Sequence, residues 1–166
     1  MPSAAHPVAR SALAERSDFC ELCTTTGGTL AWKGALCRVV IVDDPDYPGF
    51  CRVILNRHAA EMSDLPSEEQ QELMRIVFTV ETVVRDVVKP DKINLASLGN
   101  MVPHVHWHVI PRWREDRCFP NPIWAPPSRT AAGITAATDP TRARQLREEL
   151  EKRLGPSAMI ENGGQA

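Results

Sequence analysis

The chain has 166 residues, 43% apolar and 24% charged, the composition of one globular domain with a real core. Nineteen Lys+Arg against 21 Asp+Glu leave a formal charge of −2, without the broad basic footprint of a nucleic-acid binder. No apolar run approaches the ~20 residues that span a bilayer, so no membrane partner is expected.

The opening residues, MPSAAHPVARSALAER, lack the continuous apolar stretch of a secretory signal. The five cysteines are odd in number and follow no disulfide framework, which favours a reducing, cytoplasmic setting. The expected organisation is an N-terminal tail over 1–17, a domain over 18–125, a C-terminal extension with a helix over 126–154, and a disordered tail over 155–166.

In chain order, Leu36–Val42 (LCRVVIV) is rich in β-branched residues and stops at the turn cluster DDPDYPG. Phe50–Asn56 (FCRVILN) follows directly, and so short a loop predicts antiparallel pairing. Ser67 and Gln70 predict a capping box after Pro66. From there Leu73, Ile76, Val77, Val80, Val84, Val87 and Val88 hold the helical period up to Lys89 and Pro90. So many valines lower helix propensity, so packing against a sheet must stabilise this helix. Two further strands are predicted at Ile93–Leu98 and His104–Ile110, the second closed by Pro111. A last helix runs from about Pro140 to Leu154, with Asp139 as cap and Ala143, Leu146, Leu150 and Leu154 as its apolar stripe. The expected fold class is α+β: an antiparallel sheet of about five strands, one long helix and a C-terminal helix.

His104, His106 and His108 occupy alternate positions of the last strand and therefore share one face, about 7 Å apart along the backbone. Val105, Trp107 and Val109 make the opposite, apolar face. Three readings compete for the stripe: a solvated sheet face that happens to carry histidines, a His-x-His metal chelate, and chemistry on phosphorus. In the third, one neutral imidazole attacks phosphorus while a second, protonated, serves the leaving group. The metal reading wants a nearby carboxylate and a further histidine; Glu115 is the nearest acid, and no histidine follows His108.

The run HVHWHVIP matches the His-φ-His-φ-His-φ-φ signature (φ apolar) and thereby resembles the histidine triad family of nucleotide hydrolases and transferases. The resemblance covers about Phe19 to Trp124, including PGFCRVILNRH and the helix before the last two strands. It implies a hydrolase that detaches a nucleoside monophosphate from a leaving group at the α-phosphate. His106 would be the nucleophile, aimed by a hydrogen bond from its other nitrogen to a backbone carbonyl. His108 would contact phosphate and assist departure, and His104 would orient the site or bind zinc. Asn100 stands where many members carry a glutamine, and Asp43 where the ribose-binding group is expected; Ser97 is a further candidate substrate contact. Asp43 and Asp44 beside Pro45 read equally as turn-forming acids.

The pair Cys20 and Cys23 is alone a weak signal, open to redox, metal-binding or packing roles. The resemblance implies that it joins His58 and His104 in a structural zinc site, as in several bacterial members. It also implies a small nucleotide substrate, a homodimer and no organic cofactor. The alternatives are a non-catalytic nucleotide-binding or zinc-stabilised interaction protein, and a nucleotidyltransferase. After the triad, Trp113 and Trp124 lie among Arg112, Arg114, Arg117 and Arg129 in a proline-rich segment, read as a packing strap in preference to a surface for a leaving group or second phosphate, or a dimer contact.

Overall fold

The computed structural model describes residues 19–129 and 140–157, so the expected N-terminal tail, the cap at Asp139 and residues 158–166 lie outside the described residues. The elements are α1 (Glu21–Thr24), β1 (Thr29–Lys33), β2 (Cys37–Ile41), β3 (Cys51–Leu55), α2 (Ser67–Val88), β4 (Lys92–Ala96), β5 (His106–Arg112) and α3 (Pro140–Leu154). The five strands form one antiparallel sheet in the order β1-β2-β3-β5-β4. This is the α+β architecture expected, with two short elements, α1 and β1, added ahead of the first predicted strand.

Strand alternation sorts the sheet into two faces. Val39, Val53 and Val109 point to one side, where they meet Leu73, Ile76, Val77, Val80 and Val84 of α2 in the main core. Leu146 and Leu150 of α3 complete that core, so the predicted apolar stripe of α3 is the side it buries. The other face carries Arg38 and Val40 on β2, Arg52 and Ile54 on β3, and His106 and His108 on β5. On this face Cys20, Leu22 and Cys23 pack on Val40 and Ile54.

Local details depart from expectation for physical reasons. Pro66, not Ser67, precedes the first turn of α2, and no side chain caps it. Ser67 instead accepts a hydrogen bond from Gln71, and Gln70 donates to the Leu65 carbonyl. The reciprocal capping pair forms one turn earlier, between Glu61 and Asp64 around a single 3-10 turn. At the other end Lys89 takes a left-handed conformation (φ 54°), which ends the helix ahead of Pro90. The predicted stop at Pro111 is also wrong: β5 continues to Arg112, with Pro111 opposite Ile93. On its other flank β3 has already ended, its last partner being Val109, so proline's missing N–H breaks no bond there. Between β2 and β3, Gly49 (φ 86°) is required, since a Cβ would come within 2.6 Å of Val88.

Candidate active site

β5 begins at His106, two residues later than predicted. The preceding residues bend, with the His104 amide bonded to the Val102 carbonyl at 2.8 Å. The alternation nevertheless carries through the bend. Val105 lies in the main core, while His104 is buried on the opposite side. The three histidines therefore divide into a pair and a single residue. The His106 and His108 rings meet edge to face with centroids 4.7 Å apart, and the His104 ring lies 5.3 Å from that of His58.

His104 belongs to a tight donor cluster. One ligand atom each from Cys20, Cys23, His58 and His104 lie within 4.8 Å of one another. The Sγ atoms of Cys20 and Cys23 are each 3.5 Å from His104 Nδ1, and Cys23 Sγ is 3.5 Å from His58 Nδ1. A tetrahedral metal with bonds of about 2.3 Å to sulfur and about 2.0–2.1 Å to nitrogen would separate those atoms by roughly 3.5 Å. The four side chains thus form a group able to hold a metal ion, and the separations suit zinc. His104 Nε2 donates to the Leu55 carbonyl at 2.9 Å, which leaves Nδ1 with its lone pair towards the sulfurs.

Arg38 organises this corner from beneath. Its guanidinium donates to the carbonyls of Leu22 (2.6 Å), Thr25 (3.2 Å) and Thr26 (3.1 Å), tying the Cys-x-x-C turn to β2. Burial lowers its pKa, and the nearby sulfurs of Cys23 and Cys20 pull it back. Sequence reasoning overlooked Arg38, although an arginine in an otherwise apolar strand requires partners and was a usable signal.

His106 Nδ1 donates to the His104 carbonyl at 2.6 Å, the backbone-carbonyl bond anticipated for the nucleophile. Its Nε2 is then the nitrogen with the free lone pair. One residue thus touches both groups: the His104 side chain belongs to the metal-ligand cluster while its carbonyl accepts from His106 Nδ1. His108 is enclosed by His106, by Phe50 (centroids 5.7 Å apart) and by Trp124 (5.1 Å), and its buried Nδ1 has no hydrogen-bond partner. Burial, His106 and Arg52 push the His108 pKa down to about 3. Burial also holds His104 and His106 below the usual imidazole range. His108 is neutral near pH 7, with one N–H to donate.

His106 and His108 floor a cleft of about 450 Å³, lined also by Glu21, Leu22, Arg52, Leu98, Asn100, Met101 and Trp124. That volume suits a small-molecule ligand. A larger groove, about 730 Å³, lies by Asn56, Arg57, Glu68, Glu69 and Glu72. Three carboxylates against one guanidinium make it a poor place for a phosphate, and no histidine or cysteine lines it. The smaller cleft is the one that brings His106 and His108 together with Arg52.

Of the sequence-derived substrate contacts, Asn100 lines the cleft and is exposed at its mouth. Asp43 and Ser97 are exposed and lie outside its lining. Asp44 Oδ1 accepts from the Asp46 amide at 3.0 Å, the turn role that one reading gave it. The segment after the triad is strapped down by a buried ion pair, Arg112 Nε to Asp116 Oδ2 at 2.7 Å, and by Arg117–Asp46 at 2.6 Å. The strap also delivers Trp124 to the cleft, so the binding-surface reading ranked second in the sequence is compatible with the strap. Arg52, directly opposite His108 in the β3–β5 ladder, was missed as well.

Comparison with known proteins agrees with this geometry. The family model for the HIT domain matches residues 29–115. An AP-4-A phosphorylase of Mycobacterium tuberculosis is 31% identical over 98 residues, which cover 55% of this chain and 50% of that protein. An asymmetrical bis(5'-nucleosyl)-tetraphosphatase of Schizosaccharomyces pombe is 30% identical over 95 residues, covering 54% of this chain and 52% of its own. The match thus spans about half the length of each of these relatives. A crystal structure of a histidine triad protein from Marinobacter aquaeolei aligns with a TM-score of 0.66 at 26% identity, over 81% of this chain and 96% of that one.

Proposed function

The chain belongs to the HIT (histidine triad) family, and from that premise we propose that it is a nucleotide-conjugate hydrolase acting through a nucleotidyl-histidine. The observation that carries the reading is the 2.6 Å bond from His106 Nδ1 to the His104 carbonyl. It holds a buried imidazole with Nε2 unprotonated and directed from the sheet face, which is what attack on phosphorus needs. A binding surface alone would have no use for that arrangement.

In the proposed reaction His106 Nε2 forms a bond to the α-phosphorus of a nucleoside monophosphate unit. The bond from phosphorus to the leaving group breaks, and the leaving group departs with its electron pair. The His108 N–H donates a hydrogen bond to a phosphoryl or leaving-group oxygen, and the Asn100 amide contacts the same region. Water then attacks phosphorus, the P–N bond breaks back to His106, and nucleoside monophosphate is released with a proton. The exposed apolar lip formed by Leu98, Met101 and Trp124 offers a surface for the nucleobase. The names of the two relatives above, both tied to dinucleoside tetraphosphates, support this substrate class. Nucleotide phosphoramidates present the same α-phosphorus.

Zinc, held by Cys20, Cys23, His58 and His104, would supply structural cross-linking and no reacting group. The four-ligand set is closed, leaving no position for substrate. Its contribution to chemistry runs through His104, whose fixed ring keeps its carbonyl on His106. Replacing His106 by Asn should cut turnover of diadenosine tetraphosphate by several orders of magnitude with nucleotide binding retained. Unchanged turnover on every conjugate that the wild type cleaves would refute covalent catalysis.

A further inference from the structure

Arg52 is the second residue of an otherwise apolar strand, between Cys51 and Val53, both fully buried. It pairs with His108 across the ladder, and strand geometry places paired residues on the same face. Arg52 lines the cleft with His106 and His108. Its guanidinium is 5.7 Å from the centre of the Phe50 ring. The hydrogen bonding of this group is incomplete: Nη1 reaches the Gly27 carbonyl only at 3.4 Å, and the buried Nε has no partner. No carboxylate within ion-pair distance compensates it among the described residues. Burying an arginine so poorly partnered is costly, and such a group is held ready for a ligand or is badly placed.

The charge distribution of the cleft decides between these. Among the residues that line it, Arg52 is the one cation and Glu21 the one carboxylate. Glu21 is exposed, so solvent screens it, whereas the half-buried guanidinium acts through less water. His108, neutral near pH 7, adds no positive charge. A phosphate held against His106 and His108 would otherwise meet no positive charge. It carries at least one negative charge, which attack on phosphorus must not repel.

We infer that Arg52 is the phosphate-binding cation of this cleft, its Nε and Nη groups donating to the oxygens of the nucleotide's phosphate. This assignment deepens the nucleotide reading above and rests on it. A planar fork suits phosphate geometry, and the guanidinium's weaker hydration than an ammonium's eases its burial. The site then divides its work: His106 supplies the nucleophile, His108 a neutral donor, and Arg52 the charge.

The test is equilibrium binding to the full chain by calorimetry, using AMP and its uncharged counterpart adenosine. Two neutral variants, Arg52→Gln and Arg52→Leu, are run in parallel with melting curves, so that either folded one decides. AMP affinity should fall about 10- to 100-fold, the range for charge-assisted hydrogen bonds, while adenosine affinity stays within about twofold. Arg52→Lys should fall between, because it keeps the charge without the fork. The salt dependence of AMP binding should flatten in both neutral variants. A folded neutral variant that binds AMP as the wild type does would overturn the assignment. So would an equal loss for adenosine, which would make Arg52 a nucleoside contact or a structural group. A wild type that binds neither ligand would overturn the nucleotide reading and this assignment together, a pattern distinct from the other two.

Discussion

Asp116→Asn tests whether the strap that carries Trp124 is held by a buried charge. Asp116 and Arg112 are both 1% exposed. The carboxylate receives Arg112 Nε at 2.7 Å and Nη2 at 3.0 Å, and also the backbone amides of Cys118 (3.0 Å) and Phe119 (2.8 Å). Arg112 in turn donates to the Asn121 carbonyl at 2.8 Å and to Asn94 Oδ1 at 2.6 Å, which joins the strap to β4. Asparagine keeps the shape but removes the charge, and its NH₂ would face donors where the carboxylate accepted. Breaking a buried pair from one side costs about 3–5 kcal/mol. That is a large share of the roughly 5–15 kcal/mol that holds a domain together. At about 2–4 °C per kcal/mol for this size, melting should fall by roughly 6–20 °C.

The pH dependence of the same variant has a definite sign. Burial opposes ionisation of Asp116, but Arg112 and the Cys118 amide outweigh it and hold the carboxyl below its ordinary range. A depressed carboxyl stabilises the fold above its unfolded pKa, about 3.9, and that contribution is lost as pH falls through the lower folded value. The gap between wild type and Asp116→Asn should therefore stay constant from pH 7 to about 5 and shrink below about 4. Urea denaturation at each pH measures it. A loss under about 1 kcal/mol at pH 7 would show that the pair is not what holds the strap.

Elemental analysis of purified protein should find about one zinc per chain, and Cys20→Ser should lose metal and melting temperature together. Full stability without any bound metal would sink the structural-zinc proposal and leave the cleft chemistry standing. Val84→Asp places an unpaired charge where α2 meets the sheet at a fully buried position, and should abolish folding. A soluble, cooperatively melting variant would mean that the α2 face tolerates water. His108→Ala should slow conjugates with poor leaving groups more than those with good ones, compared by single-turnover rates. Equal slowing would place His108 on the phosphoryl group alone.

Where a periodic pattern and its packing partner lie in one segment, structure was readable in advance. The α2 stripe is such a case, and so is the alternation of His106, Trp107, His108 and Val109. α1 is a single turn, too short for any period to register, and β1 lies between glycines that mask its five residues. Arg38 and Arg52 escaped notice for another reason. Each follows a cysteine and precedes a valine in its strand, and the β-branched run drew the reading to the strand itself. Their partners are remote: backbone carbonyls of the Cys-x-x-C turn for Arg38, an open cleft for Arg52. Capping at Ser67 failed because Pro66 takes the position before the first turn. The metal-ligand group, by contrast, came from resemblance, and its residues do converge although 84 positions separate Cys20 from His104.

The most direct measurement of the central claim is rapid-quench intact mass spectrometry of the wild type mixed with diadenosine tetraphosphate. A transient species heavier by one adenylate, mapped by peptide fragmentation to His106 and absent from His106→Asn, is the predicted result. Steady hydrolysis of that substrate with no adduct at any quench time, or with the adduct on another residue, would contradict it.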